Sequence, residues 1–194
     1  MKKDIILAGV GGQGILTIAA IIGSSAINKN LYLKQAEVHG MSQRGGDVQS
    51  NLRISDKPIY SDLITKGHAD MIISVEPMES LRYLPFLKKD GYLITNTVPF
   101  KNIPNYPEDE EIYAAIDKLP NKIALDAEQI AKDLGNVRSS NVVVLGAATP
   151  FLGFAIEELE GGIKSLFGKK GDELVEMNIK ALHAGYEFAK EKIK

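Results

Sequence analysis

Two short runs in this chain combine residue types that can grip a small charged group. The first is Gly9-Val10-Gly11-Gly12-Gln13-Gly14, reached from Asp4 through the apolar Ile5-Ile6-Leu7-Ala8 and followed by Ile15-Leu16-Thr17-Ile18-Ala19-Ala20-Ile21-Ile22. This order reads as strand, glycine turn and buried helix. Gly9 permits a tight turn, Gly11 and Gly12 let backbone approach a bound group, and Gly14 allows helix to pack closely on strand. Bare N–H groups at the helix start, aided by the helix dipole, favour an anion by about 0.3–1 kcal/mol at exposed sites. The letters satisfy G-x-G-x-x-G but not a P-loop, because Ile15 and Leu16 stand where a lysine and a hydroxyl residue should follow Gly14. The competing reading is that the glycines only shape a strand-to-helix connection and hold no ligand.

The second run is His39-Gly40-Met41-Ser42-Gln43-Arg44-Gly45-Gly46. Arg44 is the one cation inside this glycine-rich turn, and Ser42 and Gln43 add donors, a composition suited to a phosphate or carboxylate. An ion pair of Arg44 with Asp47 or Glu37 is the local alternative. The candidate binding set is therefore Gly9, Gly11, Gly12, Gln13, Gly14, Ser42, Gln43, Arg44 and Gly45, with no catalytic residue and no metal ligand assigned. His39 reads better as a hydrogen-bonded loop residue than as a proton donor. Glu37 lies roughly twenty residues past Gly14, where a dinucleotide fold places an acid on the ribose. That supports a rival reading, a stand-alone Rossmann-like NAD-binding oxidoreductase. It ranks second, because a glycine turn follows Glu37 where a helical crossover should.

The elements that must position these runs follow from periodicity. Leu31 to Val38 is a second strand. From Asp47 the sequence alternates, with Val48, Ser50, Leu52 and Ile54 on one face and Asp47, Gln49, Asn51 and Arg53 on the other, a half-exposed strand. So short a connection cannot hold a crossover, which requires an antiparallel pair. Ala69 to Val75 is a covered strand, and Pro77 opens a helix carrying Met78, Leu81, Tyr83 and Leu84. Asp90-Gly91 turns the chain into a strand from Tyr92 to Asn96. Pro99 to Pro107 is surface loop, and Glu108 to Glu111 opens a helix reaching Ile116. Lys122 to Leu125 is a strand, and Asp126 caps a helix from Ala127 to Leu134. Asn141 to Leu152 is locally ambiguous between strand and helix. Two amphipathic helices, Ile156 to Phe167 and Asp172 to Lys192, complete one face of the sheet. The expected fold is a three-layer α/β/α sandwich with a mixed, mostly parallel central sheet, with ligands at the carboxyl edge of its strands.

With 194 residues and 44% hydrophobic side chains, one domain over residues 1–194 is expected. Lysine and arginine number 23 against 25 acids, for a formal charge of −2. That balance argues against nucleic acid or an anionic membrane as partner. No apolar run reaches the roughly 18–20 residues of a membrane span. Asp4, so close behind Lys2 and Lys3, spoils a signal peptide, and a cytoplasmic protein is expected. There is no cysteine, and His39, His68 and His183 are scattered singly, so no Fe–S cluster or structural zinc site can be assembled from them.

The two glycine runs together, with Asn141-Val142-Val143-Val144-Leu145-Gly146 and the segment from Asn178 to Tyr186, resemble the gamma subunit or domain of 2-oxoacid:ferredoxin oxidoreductases. Within that family the chain looks most similar to the beta subunit of indolepyruvate:ferredoxin oxidoreductase. The resemblance spans nearly the whole chain. It implies a pyruvate/ketoisovalerate oxidoreductase gamma-type domain and a helix over Asn141 to Leu152, overruling local β-propensity. It also implies membership of an enzyme that oxidatively decarboxylates an oxoacid to an acyl-CoA, inactive as this chain alone. Thiamine diphosphate and Fe–S clusters would reside on a larger catalytic partner, with ferredoxin reached through the complex. No Gly-Asp-Gly of the thiamine-diphosphate kind occurs here, since Gly46-Asp47 and Gly171-Asp172 are not followed by glycine. For this chain, the anionic group expected at Arg44 and the Gly11 to Gly14 turn is then either the phosphates of coenzyme A or the partner's edge near its thiamine site.

Overall fold

The computed structural model describes residues 1–40 and 45–193. Ser42, Gln43 and Arg44, three of the expected binding residues, lie outside the described residues together with Met41. Six strands form one sheet in the order β2-β3-β1-β4-β5-β6. They are β1 (Lys2–Val10), β2 (Tyr32–His39), β3 (Asp47–Ser55), β4 (Ala69–Ser74), β5 (Leu87–Asn96) and β6 (Lys122–Leu125). β3 pairs antiparallel with both β1 and β2, whereas β1, β4, β5 and β6 pair in parallel. The mixed, mostly parallel sheet of the sequence reading is thus what forms, and the reversed strand is the one the short glycine turn demanded.

The helices are α1 (Ile15–Asn28), α2 (Pro77–Arg82), α3 (Asp109–Asp117), α4 (Ala127–Asp133), α5 (Ser140–Leu152), α6 (Ile156–Phe167) and α7 (Asp172–Ile193). The larger core joins the sheet to α1, α4, α5, α6 and α7, and a smaller one joins the opposite face to α2 and α3. β1 runs through the middle, with Ile5, Ile6 and Leu7 fully buried. Each such side chain contributes about 1.5–3 kcal/mol by leaving water. α6 and α7 were expected on the sheet itself. They form instead an outer tier, α6 on α1 and α7 on α5. α5 is consequently wrapped on both sides, with ten of its thirteen residues buried, which explains why Val142-Val143-Val144-Leu145 is apolar all round and shows no helical stripe. The α5–α7 contact is backbone on backbone: a Cβ on Gly146 would stand 2.0 Å from the Leu182 carbonyl oxygen, and one on Gly185 would stand 1.9 Å from that of Val143.

Three local expectations need correction. β3 is not half-exposed. The segment after it folds back over the face carrying Asn51, whose Oδ1 accepts from the Ile64 amide at 3.1 Å, and Asn51 is left 3% exposed. Arg53 fastens the same segment by donating to the carbonyls of Ser61 and Leu63 and to buried Asp4. Burial works to raise the Asp4 carboxyl, but hydrogen bonds from Arg53 and Lys2 outweigh it and hold it below the usual aspartate range. Asp90-Gly91 does not turn the chain into a new strand. β5 runs continuously through it from Leu87, with a register shift against β4. α2 ends at Arg82, leaving Tyr83 as its C-cap and Leu84 in a following 3₁₀ turn.

Candidate functional site

β1 and β3 run in opposite directions, so the end of β1 lies beside the start of β3, where Val10 faces Asp47. The two glycine runs therefore meet at one edge of the sheet. The Gly11 amide donates to the Gly46 carbonyl at 2.8 Å, and the Gly45 amide returns a longer bond to Gly11 at 3.5 Å. Gly9, Gly11, Gly12, Gln13, Gly14 and Gly45 all belong to this junction.

Within the first run, several polar groups are committed to the turn itself. Gln13 donates its amide to the Val10 carbonyl at 3.1 Å and accepts the Val10 amide on Oε1 at 2.8 Å. Its side chain thereby locks the turn rather than reaching outward. Gly14 caps α1 in the left-handed region at φ 81 with no side-chain cap. Asn141 donates to its carbonyl at 3.0 Å and lies so close that a Cβ on Gly14 would stand 2.4 Å from Asn141 Nδ2. The amides of Gly12, Gly14, Ile15 and Leu16 have no hydrogen-bond partner among the described residues. They are the orphan donors that a helix start leaves for a ligand or water.

These amides border a cleft of about 490 Å³ between the start of α1 and the β2–β3 hairpin, a size in the usual range for small-molecule pockets. Val10, Gly11, Gly12, Gly14, Ile15 and Leu16 line one side, and Glu37, His39 and Val48 line the other. The walls are chiefly apolar, the backbone supplies donors, and Leu16 in the lining is 53% exposed. His39 lies 3.0 Å through Nδ1 from the Gly40 carbonyl, the local bond expected of it, while its ring also faces the cleft. Glu37 sits on β2, and β3 separates that strand from β1. A dinucleotide fold needs the acid on the strand next to β1. Here it is one strand spacing, about 4.8 Å, farther out, and the NAD reading loses its geometric basis.

Across β1 the neighbouring strand end is organised differently. Glu76, fully buried, caps α2 by accepting the Glu79 amide on Oε2 at 2.7 Å. Its Oε1 accepts the Phe100 amide at 3.2 Å and the Tyr106 hydroxyl. Glu79, 1% exposed, is paired with Arg82 at 2.7 Å, yet burial outweighs the guanidinium and pushes its carboxyl up. Asp47 accepts the Tyr83 hydroxyl at 3.0 Å and stands 3.8 Å from Arg82. Burial and the facing carboxylates push the phenols of Tyr83 and Tyr106 above the ordinary tyrosine value.

Sequence reasoning passed over Glu76, Asn102 and Asn141 as parts of this edge. Asn102 donates Nδ2 to the Gly45 carbonyl at 2.5 Å, which joins the proline-rich loop after β5 to the second glycine run. Asn141 carried one legible signal, a lone amide heading an apolar run. Asn102 carried none, because its partner is distant in sequence.

Comparison with known proteins agrees with this architecture. The family model "Pyruvate ferredoxin/flavodoxin oxidoreductase" matches residues 4–188. The indolepyruvate oxidoreductase subunit IorB of Archaeoglobus fulgidus is 40% identical over 97% of this chain and 96% of its own. The gamma subunit of the keto/oxoacid ferredoxin oxidoreductase of Geobacter sulfurreducens superposes with a TM-score of 0.71 at 25% identity, covering 97% of this chain and 99% of that one. The 2-oxoglutarate:ferredoxin oxidoreductase of Magnetococcus marinus, solved with 2-oxoglutarate, coenzyme A and succinyl-CoA bound, shares the fold with a TM-score of 0.76 at 21% identity; the match covers 98% of this chain and 31% of that longer one. With its family model matched almost end to end, the chain belongs to the pyruvate ferredoxin/flavodoxin oxidoreductase family.

Proposed function

We propose that this chain is the accessory, gamma-type subunit of an indolepyruvate-class 2-oxoacid:ferredoxin oxidoreductase, a single domain over residues 1–194 whose cleft forms part of the acyl-CoA site. The observation that carries this reading is the bond between the two glycine runs, Gly11 to Gly46, at the mouth of a cleft bordered by helix-start amides that have no partner among the described residues. An apolar wall beside N–H donors suits a ligand with an aliphatic arm and an anionic or carbonyl end, as an acyl-CoA has. A cleft of this volume takes one portion of that molecule. In this reading Gly9 and Gln13 hold the first turn in shape, Gly11, Gly12 and Gly14 bring backbone to the ligand, and Ser42, Gln43, Arg44 and Gly45 add the donors of the second run.

The redox centres of such an enzyme do not fit this chain. It has no cysteine. His39, His68 and His183 sit on the hairpin, on the segment after β3 and on α7. His183 pairs with Glu160 at 2.6 Å, and His68 contacts the Lys66 carbonyl at 2.9 Å. Among the described residues no three acidic or histidine side chains converge on a metal position. Thiamine diphosphate and the Fe–S clusters are therefore assigned to a larger partner in a cytoplasmic complex, and this chain shapes and covers the site at which coenzyme A meets the acyl group. No described helix is long and apolar enough to cross a membrane. Replacement of Arg44 by alanine in the assembled complex is expected to raise the KM for coenzyme A or for the oxoacid by roughly tenfold, the loss of one charge-assisted bond. Iron content should stay intact. Unchanged kinetics would remove the anion-binding role.

A further inference from the structure

The connection between β5 and α3, residues 97–108, hangs from one carboxylate oxygen. Glu76 Oε1 receives both the Phe100 amide at 3.2 Å and the Tyr106 hydroxyl, so the stretch between them closes into a loop at the start of α2. The post is rigid for a physical reason: Glu76 is 0% exposed, and its other oxygen is held by the Glu79 amide at 2.7 Å. From within this loop Asn102 reaches Gly45 with a 2.5 Å hydrogen bond. Gly45 belongs to the turn that accepts the Gly11 amide, so a hydrogen-bonded path runs from the buried acid under α2 to the mouth of the cleft. Gly45 sits at φ 78, a glycine backbone has many alternatives to its folded conformation, and the position of its carbonyl depends on what holds it.

We propose that residues 97–108 act as a clasp on Gly45 and Gly46, with Glu76 as its fixed post and Asn102 as the positioning residue that sets Gly45 against Gly11. Asn102 is not one of the described residues that line the cleft. Its effect on binding is carried through Gly45. The consequence for coenzyme A rests on the reading of the cleft given above, whereas the clasp itself does not.

Amide hydrogen exchange on the full chain tests the clasp directly. Asn102→Ala should raise exchange at Gly11 and Gly45 roughly fivefold, the equivalent of one net hydrogen bond. Asn102→Gln keeps the amide donor and should recover much of the protection. Tyr113→Phe cuts a different tie of the same connection, the 2.9 Å bond to the Thr97 carbonyl, and should leave Gly11 unchanged. No rise with Asn102→Ala, or an equal rise with Tyr113→Phe, overturns the clasp. In the assembled complex Asn102→Ala should raise the KM for coenzyme A with kcat held. Faster exchange with an unmoved KM would keep the clasp and sink the coenzyme A reading of the cleft.

Discussion

Two helices begin side by side at the same edge of the sheet, and they treat their exposed amides in opposite ways. α1 follows β1 through glycines, is capped by Gly14 without a side chain, and leaves its first amides facing a cleft. α2 follows the adjacent β4 through Glu76, whose carboxylate fills the position an external anion would take and is itself roofed by Phe100 and Tyr106. The backbone physics is the same at both ends. Whether such an end receives a ligand or closes on itself depends on whether the chain supplies its own acceptor.

The severest way to break this contrast is to remove the internal acceptor. Glu76→Gln replaces one carboxylate oxygen by an amide NH2, which must face either the Glu79 amide or the Phe100 amide and Tyr106 hydroxyl. A loss of about 3 kcal/mol or more is expected from unsatisfied buried donors, read as a lower urea midpoint. A midpoint near that of the unaltered protein would show that α2 does not depend on its own acid.

A smaller effect separates the two glycine roles at α1. Gly14→Ala must tolerate φ 81 and a contact of 2.4 Å with Asn141, and should cost about 2 kcal/mol or more. Gly12→Ala, at φ 102 with nothing within 4 Å of the added carbon, carries only the backbone strain of about 1–2 kcal/mol. It should act more on ligand affinity than on folding. Thermal unfolding of the two variants ranks them, and the reverse order would mean that Asn141 yields easily.

The mildest test is a slope. Burial raises the Glu79 carboxyl in the folded protein above its unfolded value. The folded state then holds this proton to higher pH than the unfolded chain does. Stability contributed at this site is present below the ordinary glutamate range and is lost as pH rises through the folded value. Glu79→Gln should flatten that descending part of the urea-midpoint profile, and a slope that survives the substitution would assign it to another acid.

Local chemistry was readable wherever it was carried by neighbours in sequence. The glycine turn after β1, the cap at Asp126 and the bounds of α6 follow from adjacent residue types, and Asp126 does accept the Gln129 amide at 2.8 Å. Segments whose environment comes from elsewhere were misread. β3 looked half-solvated because nothing in its own letters shows the return of Ile64 over Asn51. Asp90-Gly91 looked like a turn because the partner strand that carries it through a register shift is β4.

From sequence alone came the alternation of strands and helices, the reversed β3 and the want of any thiolate for a cluster, since spacing, connection length and residue type fix these without long-range contacts. Tertiary structure decided that the two glycine runs touch, that Glu76 closes α2 while no described residue closes α1, and that Asn102 ties a distant loop to Gly45. Hydrogen bonds between residues far apart in the chain exist only once the sheet has set its strand order, and no periodicity encodes them.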